Sequence, residues 1–109
     1  MLIAVASKDG KEINQHFGHA ERFLIYDVEN SSAKLVDERS VERYCSFDPD
    51  HPLRGQLLRG IAEALDGCHA VVSAQMGEHP KAELEKLGIE AFMIGGPIEA
   101  TLVELAKIL

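Results

Sequence analysis

The chain predicts an α/β fold, a mixed sheet with helices on its faces, in the element order β-β-β-α-β-α-β-α. Two observations carry this expectation. The first 40 residues hold three runs rich in β-branched and aromatic residues, and the turn signal "NSS" separates the second from the third. From residue 53 onward, helical spacing and short apolar runs alternate. That alternation implies crossover connections and a parallel portion of the sheet.

The elements follow in order. "LIAVAS" (2–7) is a short apolar run ended by "KDG", which reads as a strand and a turn. "RFLIYDVE" (22–29) and "AKLVDERSV" (33–41) read as an antiparallel pair. "YCSFDPDHP" (44–52) holds two prolines and no period, and reads as a loop. "LRGQLLRGIAEAL" (53–65) places Leu53, Leu57, Leu58, Ile61 and Leu65 at helical spacing, with Gly67 as a stop signal. "HAVVSA" (69–74) reads as a buried strand. "QMGEHP" (75–80) reads as a loop, with Pro80 suited to a first helical turn. "KAELEKLG" (81–88) predicts a two-turn helix with Gly88 just past its end. "IEAFMI" (89–94) is the last strand, and "GGP" (95–97) opens a final helix over 98–108. The first, fourth and fifth strands are expected to be parallel. Ile3, Val5, Leu24, Ile25, Leu57, Ile61, Val71, Val72, Phe92 and Leu102 are expected in the core. In such sheets ligands bind beyond the carboxyl ends of the parallel strands. The loops expected there are 8–21, 75–80 and 95–97.

Composition bounds the function. The 109 residues, 46% of them apolar, predict a single domain over 1–109. No run approaches the ~20 apolar residues of a membrane helix. "MLIAVAS" has no basic flank, so no signal peptide is expected. The two cysteines, Cys45 and Cys68, lie far apart and form no disulfide framework, so a reducing cytoplasm is the expected compartment. A net charge of −7 argues against a nucleic-acid partner.

Chemistry-bearing residues concentrate in "NQHFGHA". His16 and His19 stand three apart around Phe17 and Gly18. In a loop that spacing lets two imidazoles face one site, and imidazole suits iron, zinc, copper and nickel. A capping or edge-filling role for one of them is the structural alternative. Cys45 sits in the 44–52 loop, as a soft-metal thiolate or as a small buried hydrophobe. His51 is a further nitrogen donor in that loop, and His79 lies in the 75–80 loop. Cys68 begins a buried run and reads as core. No CxxC or HExxH occurs, and four zinc ligands do not assemble at recognisable spacing. "GGP" is either an anion-facing turn or a plain strand-to-helix turn. Ser7, Ser46 and Ser73 lack the context of a nucleophile elbow. Asp9, Asp27, Asp37 and Asp48 suggest no obvious two-metal grouping.

The stretches "IAVASKDGKEINQHFGHAERFLIYDV", "VERYC" and "LDGCHAVVSAQMGEHPKAELEKLGIEAF", with the C-terminal helix, cover essentially the whole chain. Together they resemble the dinitrogenase iron–molybdenum cofactor biosynthesis family, the NifX/NifB-type domain. The resemblance implies a ribonuclease H-like fold with a five-stranded mixed sheet and three helices. It implies a metal–sulfur cluster as cargo, an iron–molybdenum cofactor precursor or a related cluster, and it is compatible with an apo form. It implies cluster-donating and cluster-accepting proteins as partners, and no catalysis by this domain alone. It maps the family's histidine-bearing loop onto His16 and His19, and a cysteine of the cofactor-enzyme version onto Cys45. Lys8, Arg22 and Arg43 are the cations expected to offset the charge of a sulfide-rich cluster. No CxxxCxxC segment precedes the matching residues, so a stand-alone module is expected. The competing readings are a cofactor-free regulatory or interaction domain and a ribonuclease H-like hydrolase.

Overall fold

The computed structural model describes residues 1–29, 31–41 and 54–109, with side chains from residue 58 onward in the last stretch. Five strands form the main sheet: β1 (Leu2–Val5), β3 (Arg22–Glu29), β4 (Ser32–Ser40), β5 (Ala70–Ser73) and β6 (Glu90–Met93). Their spatial order is β4-β3-β1-β5-β6. β1 pairs antiparallel with β3, and β3 with β4, while β1, β5 and β6 run parallel. Among the described residues three helices complete the fold: α1 (Arg54–Ala64), α2 (Glu78–Lys86) and α3 (Ile98–Ala106). The mixed sheet and the parallel trio are as the sequence predicts.

Strand alternation divides the core into two layers. Ala4, Phe23, Ile25, Val71 and Ala91 face one way and pack with Leu58, Ile61 and Leu65 of α1 and its end and Leu84 of α2. Ile3, Val5, Leu24, Val28 and Val72 face the other way and pack with Ile98, Leu102 and Leu105 of α3. Eight of the ten expected core positions are buried. Phe92 is not among them: β6 is an edge strand, so the ring is covered on one side only and is half-buried. Leu57 falls outside the described side chains.

Three features differ from expectation. The 8–21 segment is not all loop. It contains β2 (Glu12–Ile13) and a 3₁₀ turn over Phe17–His19. "GGP" does not merely turn: β7 (Gly96–Pro97) pairs antiparallel with β2, and Ile98 donates its N–H to the Lys11 carbonyl at 3.1 Å. Both strands are two residues long and exist only through each other, so neither has a local period to read. α2 also begins earlier than expected, with Pro80 in its first turn and Gly77 as N-cap. Its other end closes as a Schellman motif: Gly88 (φ +85°) and Ile89 donate to the carbonyls of Glu85 and Leu84.

Candidate functional site

The site grows from the carboxyl ends of β1 and β5. Residues 7–14 leave β1 as a loop wired by its own side chains. The buried Ser7 hydroxyl donates to the Glu12 carbonyl at 2.6 Å and accepts from the Gly10 N–H at 2.9 Å. Asp9 Oδ1 accepts from the N–H groups of Lys11 (2.9 Å) and Glu12 (3.1 Å). These amides, Lys11 first, hold the Asp9 carboxyl below its ordinary range. Asn14 Oδ1 accepts the Lys8 N–H at 2.9 Å. The loop therefore has a defined shape without a core of its own.

The next residues fasten to the end of β5. Ala74 donates to the Gln15 carbonyl at 3.0 Å and Phe17 to the Gln75 carbonyl at 2.8 Å, so His16 bridges Gln75 in parallel fashion. The fully buried Phe17 ring meets Phe23 at 5.6 Å and roots the turn in the α1–α2 side of the core. Loops 8–21, 75–80 and 95–97 thus meet at one end of the molecule, as expected.

His16 and His19 lie together there, their ring centroids 4.8 Å apart and tilted by 31°. They are not equivalent. His16 is half-buried and acts as N-cap of the 3₁₀ turn: its Nδ1 accepts the Gly18 N–H at 2.9 Å. Burial first, and the neighbouring His19 second, push the His16 pKa down, which favours the neutral ring that such an acceptor requires. His19 is exposed.

A cleft of about 500 Å³ opens beside the pair, lined by Ser7, Lys8, Gln15, His19, Glu21, Arg22, Glu38 and Ser40. Three residues expected at the site, Lys8, His19 and Arg22, therefore share one concavity. Its charge is not the basic patch expected. Arg22 Nη1 donates to Glu38 Oε1 at 2.8 Å, and Glu21 adds a second carboxylate. Two acids thus stand beside two bases. Glu21 and Glu38 are the charged lining residues that sequence reasoning missed; sixteen residues separate Glu38 from Arg22, and the β3–β4 register brings them together.

Cys45 and Arg43, expected as thiolate ligand and cation, lie outside the described residues, as does His51. His79 is exposed in the first turn of α2. Among the described residues no three His, Cys, Asp or Glu side chains converge as a metal cage. A second cleft, of about 480 Å³, sits at the amino ends of β5 and β6 and includes Arg59, Asp66, Cys68 and Leu87. Cys68 is buried there, and burial pushes its thiol pKa up, which suits the core role expected of it and not a thiolate ligand. Asp27 carries an ion pair to the Met1 amine at 3.1 Å. Among the described residues no helix is long and apolar enough to cross a membrane.

These features define a class: a small mixed-sheet α/β domain with a histidine pair on a wired loop at the carboxyl edge of its parallel strands. The family is settled by comparison. A family model described as "Dinitrogenase iron-molybdenum cofactor" matches residues 1–108, and the chain belongs to that family. It is similar to the FeMo cofactor biosynthesis protein NifB of Azotobacter vinelandii, 39% identical over 90 residues, 83% of this chain and 18% of that protein. It is 43% identical to NifB of Sinorhizobium fredii over 93 residues, covering 84% of this chain and 18% of that protein. NifB of Frankia alni is 38% identical over 105 residues, 96% of this chain and 21% of that protein. The chain thus spans about a fifth of the length of these curated relatives. A crystal structure of PH0822 shares the fold, with a TM-score of 0.66 over 95% of this chain and 87% of that one, at 20% identity.

Proposed function

We propose that this domain binds a metal–sulfur cluster, an iron–molybdenum cofactor precursor or a relative of it, and passes it from a cluster-donating to a cluster-accepting protein. The observation that carries the reading is the exposed His19, set against His16 on the rim of the cleft that Lys8 and Arg22 also line. An imidazole on an open rim offers a nitrogen ligand without enclosing the cargo, and Lys8 offers positive charge to its sulfides. Few ligands and an open cleft favour release, as carriage demands. Family membership and the NifB relatives support the same reading. No bond chemistry is assigned to the domain, and ribonuclease H-like is the fold label we attach to it.

The test is anaerobic reconstitution with ferrous iron and sulfide, followed by metal and sulfide analysis and visible absorption. Wild-type protein is expected to gain charge-transfer absorption, and His19→Ala to gain far less at an unchanged apo melting temperature. Cys45→Ser enters the same assay, since a serine oxygen matches a soft metal poorly. Protein that stays colourless and iron-free contradicts the proposal. One observation favours a second reading, a cofactor-free interaction domain: Arg22 is already partnered by Glu38. Under that reading neither His19→Ala nor Cys45→Ser changes anything that iron and sulfide analysis measures.

A further inference from the structure

We propose that the cleft at the amino ends of β5 and β6 is a self-association surface, on which a second copy of this chain docks about a two-fold axis. The inference does not depend on the cluster-carrier reading, because the cleft lies at the opposite end of the parallel strands from the histidine turn.

Two turns build the cleft. One leads from α1 to β5, and the other leads from α2 to β6. The floor is apolar: Leu65, Cys68 and Ile89 line it, and all three are buried within the fold. Its volume of about 480 Å³ gives room for a partner's side chain to enter. The shape is set before anything docks. Arg39 Nη1 donates to the carbonyls of Ala64 and Asp66 at 2.7 and 2.8 Å, which ties the end of α1 to β4. A preformed surface of this kind loses little conformational freedom on association.

A projection stands beside the hollow. Leu87 is the C-cap of α2 and is 61% exposed, whereas Leu84 one turn earlier is fully buried. A single exposed leucine is ordinary, but this one borders an apolar floor. One patch therefore carries both a knob and a hole. Its charges repeat the pattern. Arg59, Glu63 and Asp66 are exposed on the rim. Among the described residues none of these three side chains forms an ion pair, although Arg59 and Glu63 stand four apart on α1.

Such a patch is its own complement. In a two-fold contact, residue i of one copy meets residue j of the other, and j meets i. Leu87 of each copy enters the cleft of the other, and each Arg59 faces the other copy's Glu63 and Asp66. A rim of one sign, or a hollow without a projection, would call for a different protein; here both members of each pair are present. Ten residues line the cleft, against about 20–30 a side in a standard interface. The dimer is accordingly weak and dependent on concentration. Its axis passes near the amino ends of the strands, so the two histidine turns face away from each other and both stay open.

The test is sedimentation equilibrium of the full chain over a concentration series. Wild type is expected to rise from the mass of one chain toward that of two. Leu87→Glu is expected to weaken association by about 30-fold, as loss of a central anchor does. Arg59→Glu is expected to weaken it by up to about 25-fold, since two symmetric pairs are lost and each is worth up to about fivefold. The double variant Glu63→Lys, Asp66→Lys is expected to behave likewise. Mixed with Arg59→Glu, it is expected to regain association, because the acids of one chain then face the bases of the other. All four substituted side chains are exposed, so melting temperatures are expected to match wild type. Wild type that keeps the mass of one chain up to about 1 mM overturns the proposal and leaves the cleft to a different protein. A dimer that resists both Leu87→Glu and Arg59→Glu uses another surface and overturns it too. Charge variants that weaken singly and gain nothing on mixing overturn the two-fold pairing. Cluster content plays no part in these readings, so their failure and the failure of the carrier reading are separate results.

Discussion

Glu38 decides how much positive charge the cleft offers. Its carboxylate holds Arg22 at 2.8 Å across the β3–β4 pair, with both side chains substantially exposed. An exposed pair of this kind is worth about 0–1 kcal/mol. Breaking it therefore costs the fold little, yet it frees a guanidinium beside Lys8. Glu38→Gln is expected to strengthen retention of an anionic cluster, by up to roughly fivefold if the full pair energy is recovered, and Arg22→Gln to weaken it. Competition of loaded protein with a chelator, over a series of salt concentrations, reads both. Retention that does not rise in Glu38→Gln, or does not fall as salt is added, shows that charge does not hold the cargo. At this scale the sequence was legible for side-chain type and not for partnership. The two histidines and the cations stand in "SKDGKEINQHFGHAER" for anyone to read, and their shared edge follows from the strand order. That His16 is a cap required the geometry of Gly18. A residue that accepts from the N–H two positions on is a cap pattern, but histidine is not among the usual capping residues.

Loop 7–14 and the helix ends show what single elements contribute. Asp9 organises the loop by accepting two backbone amides, and its pKa is lowered from 3.8. A carboxyl whose folded pKa is depressed adds stability that is present above the unfolded value and lost as pH falls through the folded one. Acidification below about 4 is therefore expected to lower the melting temperature of wild type more than that of Asp9→Asn, which keeps the acceptor oxygen and lacks the charge. Parallel acid-side melting curves for the two proteins contradict this. Helix glycines separate two effects of opposite sign. Gly88 sits at φ +85°, where a Cβ costs about 1–2 kcal/mol, so Gly88→Ala destabilises. Gly60 lies within α1 with nothing within 4 Å of where a Cβ would stand, so Gly60→Ala stabilises by roughly 0.4–1 kcal/mol. Urea titration of both variants checks the signs. The elements with a local pattern were legible, though not all their bounds: β3 spans the residues predicted for it, 22–29, and Gly88 closes α2 as expected, but α2 begins at Glu78, inside the predicted loop. β2 and β7 were not, because a two-residue strand pairing across some eighty residues has no periodicity and depends wholly on tertiary structure.

The sheet separates the molecule into two cores, and the histidine turn is seated in one of them, while Ile13 of the preceding loop packs in the other. Phe17 anchors the histidine turn in the layer beneath α1 and α2, against Phe23. Leu102 is fully buried in the other layer, with Ile98 and Leu105 of α3. Leaving a cavity at either place destabilises, by about 2–5 kcal/mol for Leu102→Ala and about 3–5 kcal/mol for Phe17→Ala. The consequences for the site should nevertheless differ. Leu102→Ala empties space on the far side of the sheet, where β1 and β5 stand between the void and the turn. Below its melting temperature this variant is expected to keep the His16–Gly18 cap and to load cluster as wild type does. Phe17→Ala removes the side chain that seats the turn, at a residue whose N–H also binds the Gln75 carbonyl. His19 then loses its fixed base. This variant is expected to lose loading at temperatures where circular dichroism still shows a folded sheet. Two variants of comparable stability cost thus separate a site rooted in one layer from a site that depends on stability as a whole. The decisive measurement is cluster content per folded molecule at a temperature well below both transitions. Equal loading in the two variants means the turn does not need its phenylalanine anchor, and equal loss means that the two layers are coupled through the sheet.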